Sequence, residues 1–261
     1  MKQILRPVAI AAVALCGAYT FAQGPGSKYY LTGGTTLWTL QGTGDTSVTT
    51  QSNDEYNIAV DGDIRTTQYR SSGAGYQYSL NSVPTGTTYP GTWLGFFDGT
   101  TDGTHNYTVD WDTGNVWSFN RDWQNGSVLF TLPGGASQYL GITYDNAGGL
   151  WVSQWTGSLV QHYSMNGTLL GGFDSHITDM SCLGMDYATG TLWFGSQTKG
   201  EQFWNFDTSG NLLGTETYTG LAGSNTLGGE FNLIAAPEPF TVVGTAIGCI
   251  ALLRRRIKTN A

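Results

Sequence analysis

The stretch "YLGITYDNAGGLWVSQWTGSLVQHYSMNGTLLGGF" (Tyr139–Phe173) holds four short apolar runs, YLGITY, GLWVSQ, LVQHYSM and TLLGGF, separated by turn residues. Each run is strand-sized, and Asn166-Gly167 between the last two is a hairpin turn, because Gly accepts the positive φ that such turns demand. The next stretch repeats the layout with CLGMDY, TLWFGS, QFWNFD and NLLGT, from Cys182 to Thr215. Leu-Gly pairs begin at Leu94, Leu140, Leu183 and Leu227, at intervals of 46, 43 and 44 residues. A second marker, NGSVL at Asn125, NGTLL at Asn166 and SGNLL at Ser209, keeps intervals of 41 and 43. A period near 44 filled only with strand-like patterns predicts propeller blades, each a four-stranded antiparallel sheet.

Working outward, residues 93–132 give a third copy with a longer first loop, and residues 56–90 a degenerate fourth. Residues 28–51 supply three strands, KYYLTG, TLWTLQ and TSVTTQ, and lack a first one. The stretch GGEFNLIA near the C-terminus carries the first-strand marker and would complete that blade. The expected fold is therefore an all-β propeller of five four-stranded blades, its ring closed by strands from both chain ends. The Leu-Gly glycine suits an innermost strand, where backbones crowd the axis. Trp117, Trp151, Trp193 and Trp204 read as packing between sheets, and Cys182 as a buried, inert thiol.

The ends read differently from the middle. "MKQILRPVAIAAVALCGAYTFAQG" has a basic start (Lys2, Arg6), an apolar run and small residues before a cut near Ala22, the pattern of a secretory signal peptide. The last residues, "APEPFTVVGTAIGCIALLRRRIKTNA", join Pro237-Glu238-Pro239 to an apolar run and then to Arg254, Arg255 and Arg256. Counted back to Ile234 the run is long enough for a transmembrane helix, and the basic cluster would hold its C-terminus in the cytoplasm. The domains expected are thus a signal peptide (1–22), an extracytoplasmic propeller (23–235) and a sorting and anchor segment (236–261).

This tripartite tail resembles the PEP-CTERM sorting signal of exopolysaccharide-making bacteria. The resemblance implies recognition by an exosortase-type membrane enzyme, cleavage near Pro237-Glu238-Pro239 and delivery to the cell surface or extracellular matrix. It says nothing of the activity of the domain it carries.

Six of the eleven basic residues lie in the two end segments. Residues 23–235 keep five basic residues against eighteen acidic ones, a net charge of −13. Such a surface repels nucleic acid and acidic polymers. With Cys182 the sole cysteine of this domain, it forms no internal disulfide.

The search for chemistry returns little. His105, His162 and His176 fall at different phases of the repeat, and no nucleophile elbow, zinc motif or phosphate loop occurs. No carboxylate pair looks buried. "DGTTDGTHNYTVDWDTGN" gathers Asp98, Asp102, Asp110 and Asp112 in the manner of an oxygen-rich Ca²⁺ loop, but without the EF-hand register or its bidentate Glu. Its longer loop, with Asp98, Asp102, His105 and Asn106, is the candidate binding loop. No catalytic residue and no metal ligand is assigned. Two functions fit: a noncatalytic binding or scaffold propeller partnered by neutral polysaccharide or surface proteins, and a metal-dependent hydrolase or lyase with a fold-level resemblance to lactonases and antibiotic-cleaving lyases. The first fits better.

Overall fold

The computed structural model describes residues 24–70, 73–92 and 94–233. The cut at Ala22, the transmembrane helix and the sorting residues Pro237, Glu238, Pro239, Arg254, Arg255 and Arg256 lie outside them. Among the described residues, twenty strands form five antiparallel sheets of four. The first blade holds β1 (Tyr29–Thr32), β2 (Thr36–Gln41) and β3 (Gly44–Thr49). The second holds β4 (Glu55–Val60), β5 (Asp63–Gln68), β6 (Ala74–Ser79) and β7 (Pro84–Pro90). Then follow β8 (Phe96–Thr101), β9 (His105–Asp110), β10 (Asn115–Asn120) and β11 (Ser127–Thr131) in the third, and β12 (Tyr139–Tyr144), β13 (Gly149–Gln154), β14 (Leu159–Ser164) and β15 (Leu169–Asp174) in the fourth. The fifth holds β16 (Met180–Asp186), β17 (Thr191–Ser196), β18 (Gln202–Phe206) and β19 (Leu212–Thr217). The last strand, β20 (Gly228–Phe231), returns to the first blade.

Ring closure follows the expectation. β20 pairs antiparallel with β1, from Tyr29 opposite Phe231 to Thr32 opposite Gly228, and is the innermost strand of that sheet. The Tyr29 and Phe231 rings stack at 4.3 Å, and Tyr29, Trp38, Trp193, Phe203 and Phe231 fill the seam between the fifth and first blades. Trp151, Phe194, Trp204 and Phe206 fill the seam between the fourth and fifth. Burial falls from axis to perimeter: β16 and β20 are wholly buried, whereas most of β15 and half of β19 are exposed, with no residue of either fully buried. An innermost strand has neighbours on every side, so only small and apolar residues suit most of it.

Two details of the sequence reading are corrected. First, the Leu-Gly pairs are not structurally equivalent. Gly141 and Cys182 each precede the residue whose N–H reaches the axis, Ile142 and Leu183, so Gly141 matches Cys182 and not Gly184. Second, Asp98 to Asn106 is not a long loop. β8 runs to Thr101, residues 102–104 turn, and β9 starts at His105. The 46-residue interval that suggested a longer loop arises because Leu94-Gly95 lies before β8 rather than inside it.

Candidate functional site

The axis is closed by two acidic side chains, Asp98, which the sequence reading assigned to a binding loop, and Glu230, which it did not single out. Asp98, on β8, is fully buried, and each carboxylate oxygen accepts two backbone N–H bonds. Oδ1 takes those of Gly99 at 2.9 Å and Gly229 at 2.7 Å, and Oδ2 those of Ile142 and Leu183, both at 3.0 Å. Four of the five innermost strands thus bond to one carboxylate. A β-bulge in β8, between Phe96 and Gly99, places Asp98 there, as bulges re-aim side chains locally.

Glu230, on β20, is the second of these two axial acids and is also buried. Its carboxylate accepts from the Thr143 hydroxyl at 3.0 Å and from the N–H of Phe231 at 2.8 Å. Thr100 and Thr143 act as equivalent links, accepting the N–H of Tyr144 and Met185 from the following blade. Burial pushes both carboxyls well above their ordinary values; the N–H bonds to Asp98, and the Thr100 hydroxyl and Phe231 N–H at Glu230, pull the other way. The expectation that no carboxylate pair is buried is therefore wrong. Yet these acids bind the ring together, because their lone pairs face protein donors rather than an open well.

Chemistry-bearing groups gather instead at one end of the ring. The first strands all enter from this end, and here the connections between blades bond to the connections between second and third strands. The N–H of Arg70 donates to Leu94, that of Trp111 to Gly95, that of Ser137 to Trp111 and that of Asp179 to Trp155. Tyr69, Trp111, Trp155 and Gln197 each stand just after the second strand of their blade, at intervals of 42, 44 and 42 residues. Tyr56 and Phe97 sit at the bulges of β4 and β8.

These rings touch one another. Tyr69 stacks on Phe97 at 4.3 Å, Tyr56 meets Phe97 edge-on at 5.7 Å, Phe97 meets Trp111 at 5.8 Å, and Trp111 meets Trp155 at 5.2 Å. All five are half-buried, and none belongs to the apolar clusters that pack the blades. Polar groups border them: the Arg70 guanidinium lies 4.9 Å above Tyr69 and pairs with Asp112, and the Trp155 indole N–H donates to Gln197 Oε1 at 2.8 Å. Burial raises the Tyr56 and Tyr69 hydroxyls.

The residues singled out in the sequence scatter. Asp98 lies on the axis, while Asp102 and His105 occupy the β8–β9 turn at the opposite end from the rings. Burial raises Asp102, but bonds from the Tyr107 hydroxyl and the N–H groups of His105 and Thr104 outweigh it and hold the carboxyl below its ordinary value. That is turn chemistry. Asn106 is buried and bonded to Arg121. His162 bonds Asp145 at 2.7 Å and stacks on Trp151, while His176 is exposed between β15 and β16. The three histidines do not meet.

Asp110 and Asp112 lie at the far end of β9 from Asp102, so the four aspartates do not form the Ca²⁺ loop that they suggested. Among the described residues, no group of three or more His, Cys, Asp or Glu side chains is placed to hold a metal ion. Cys182 is buried with its thiol pushed up to about 12 by desolvation, an unreactive state.

Comparison with known proteins places this geometry among propellers. Residues 97–198, less than half of the chain, match the family described as SMP-30/gluconolactonase/LRE-like region. Among curated proteins there is no match. A chain of a nidogen/laminin complex superposes with a TM-score of 0.54 at 12% identity, over 80% of this chain and 99% of that one. Glutaminyl cyclase of Myxococcus xanthus gives 0.52 at 15%, over 65% and 72%. A streptogramin B lyase gives 0.46 at 16%, over 76% and 70%. At these identities the likeness is one of fold.

Proposed function

We propose that this chain is an exported, surface-held recognition propeller, a noncatalytic binding or scaffold module that works through the end carrying the aromatic rings. The supporting observation is the closed axis. In a propeller enzyme the reacting groups would converge at an open axial mouth. Here the axial acids are enclosed and bonded to protein donors, and the histidines stand apart. A rigid ring presents its loops with little ordering cost on binding, which suits recognition. Export rests on the signal-like start and the PEP-CTERM-like tail, with an exosortase-type enzyme as processing partner. The extracellular matrix or cell surface is the destination.

The family match over residues 97–198 supports a second reading, a metal-dependent hydrolase or lyase. Against it, the lone pairs of the Asp98 carboxylate are taken by backbone N–H groups, and among the described residues no group of three or more His, Cys, Asp or Glu side chains converges on a cation, so no step is routed through one. Incubating the purified protein with lactones, esters and polysaccharides, with and without divalent cations, separates the two. The recognition reading expects no turnover, and cation-dependent turnover would overturn it. Mass spectrometry of surface-extracted protein should recover neither Lys2 nor Arg255, and recovery of the intact chain from the cytoplasm would sink the export reading.

A further inference from the structure

We infer that Tyr56, Tyr69, Phe97, Trp111 and Trp155 form a platform for an uncharged saccharide chain. The inference rests on the recognition reading above and names its ligand class and its site. Folding does not account for these rings. The blades are packed by other aromatics, such as Trp123, Tyr29 and Phe194, which are fully buried. Keeping two tryptophans, two tyrosines and a phenylalanine only partly buried in one contiguous patch forgoes some of the burial energy that a core position would supply.

Geometry selects the ligand. Neighbouring rings lie nearly perpendicular at four contacts, Tyr56–Tyr69 at 84°, Tyr56–Phe97 at 71°, Phe97–Trp111 at 79° and Trp111–Trp155 at 83°. Each ring is thereby held by the edge of the next, so the patch is ordered before anything binds. The C–H face of a pyranose is apolar and flat, and stacks on rings such as Trp111 and Trp155, while Tyr69, held between Phe97 and the Arg70 guanidinium, orders the patch. Its hydroxyls need donors and acceptors beside the rings, and Arg70, Asp112 and Gln197 stand there.

Other occupants fit less well. The net charge of −13 over residues 23–235 opposes nucleic acids, acidic glycans and anionic lipid surfaces. A protein-docking or membrane patch would mix in exposed aliphatic side chains, and the most exposed of these, Val83, Leu169, Leu170 and Leu212, lie on the perimeter. The site is also remote from the Asp102–His105 turn, which the sequence pointed to.

The test is titration of the purified mature protein with soluble neutral polysaccharides (a β-glucan, a xylan, a galactomannan and a dextran) and with alginate as an anionic control. At least one neutral polymer should bind, and alginate should not. Trp111→Ala with Trp155→Ala should weaken binding roughly tenfold or more, in a protein that still unfolds cooperatively, with its melting temperature lowered by several degrees. Trp155→Phe, which keeps a ring, should retain most binding, and His105→Ala, at the other end, should change nothing. If the double variant does not fold, Trp155→Gly and Tyr69→Ala, made singly, carry the same expectation. Wild-type affinity in the ring-deleted variants, or no binding to any neutral polymer, overturns the platform while leaving the recognition reading intact. Cleavage of a bound polymer would instead overturn the noncatalytic reading and leave the platform standing.

Discussion

Phe97 and Asp98 are consecutive, yet they belong to opposite kinds of site. Asp98 turns into the axis, where a buried carboxyl group is tolerated because four N–H donors from four blades meet it. Phe97 turns toward the end of the ring and joins a file of rings that no core needs. The axis is a structural device in which both carboxylates accept bonds from protein donors, while the aromatic end holds apolar surface that the blade cores do not use. Position in the fold, not residue type, sets these roles: an acid is structural, and two tryptophans stand outside the cores that pack the blades.

The largest way to break this comparison is to open the ring. Deleting Gly228–Leu233 removes β20, two of its axial bonds and the Tyr29–Phe231 stack, and exposes two sheet edges. The truncated protein should lose cooperative thermal unfolding and aggregate. A melt like that of the full chain would show that closure through β20 is dispensable.

Removing the axial acid alone should cost nearly as much. Asp98→Ala leaves four buried N–H groups unsatisfied at about 1–3 kcal/mol each, so a loss of roughly 4 kcal/mol or more is expected in denaturant unfolding. A loss under about 1 kcal/mol would mean that water or neighbouring groups replace the carboxylate.

Two tryptophans then sharpen the contrast between core and platform. Trp123, which is 0% exposed, should cost about 3–5 kcal/mol on truncation to Ala. Trp111→Ala should cost roughly 1 kcal/mol, because its ring is only half-buried. Equal losses would place Trp111 in the core.

A smaller effect is expected from pH. Glu230 is raised above its ordinary value of 4.5 by burial. Its contribution is fully present below the unfolded value and is lost as pH rises through the folded one. As pH rises above about 5, wild type should therefore lose more stability than Glu230→Gln, read as a steeper fall in melting temperature with pH. Equal pH dependence in the two proteins would mean that Glu230 stays ionised. The smallest effect concerns Cys182, which should not react with a thiol reagent in the native protein and should react fully once unfolded.

Much of the fold was legible in the sequence because its signals are local. Hairpin turns at Asn166-Gly167 and Ser209-Gly210, strand-sized apolar runs and a period near 44 residues all lie within one blade. The register was less legible: Leu-Gly is a two-residue marker, and it slips where bulges insert a residue into β8, β12 and β16. The aromatic end was partly legible. Tyr69, Trp111 and Trp155 recur on the blade period, and a search for aromatic residues just after each second strand would have found them. Tyr56 and Phe97 carry no such signal, because their direction depends on the bulges.

By itself, then, the sequence determined a five-blade ring closed by its last strand, since repeat length, turn chemistry and a missing strand can be counted along the chain. Only the tertiary structure decided what Asp98 and Glu230 do. The donors to Asp98 on the other blades lie 44, 85 and 131 residues away, and the Thr143 hydroxyl lies 87 residues from Glu230. Whether a carboxylate is a turn residue, a metal ligand or the centre of a ring is set by the donors that surround it, and those come together only when the blades close.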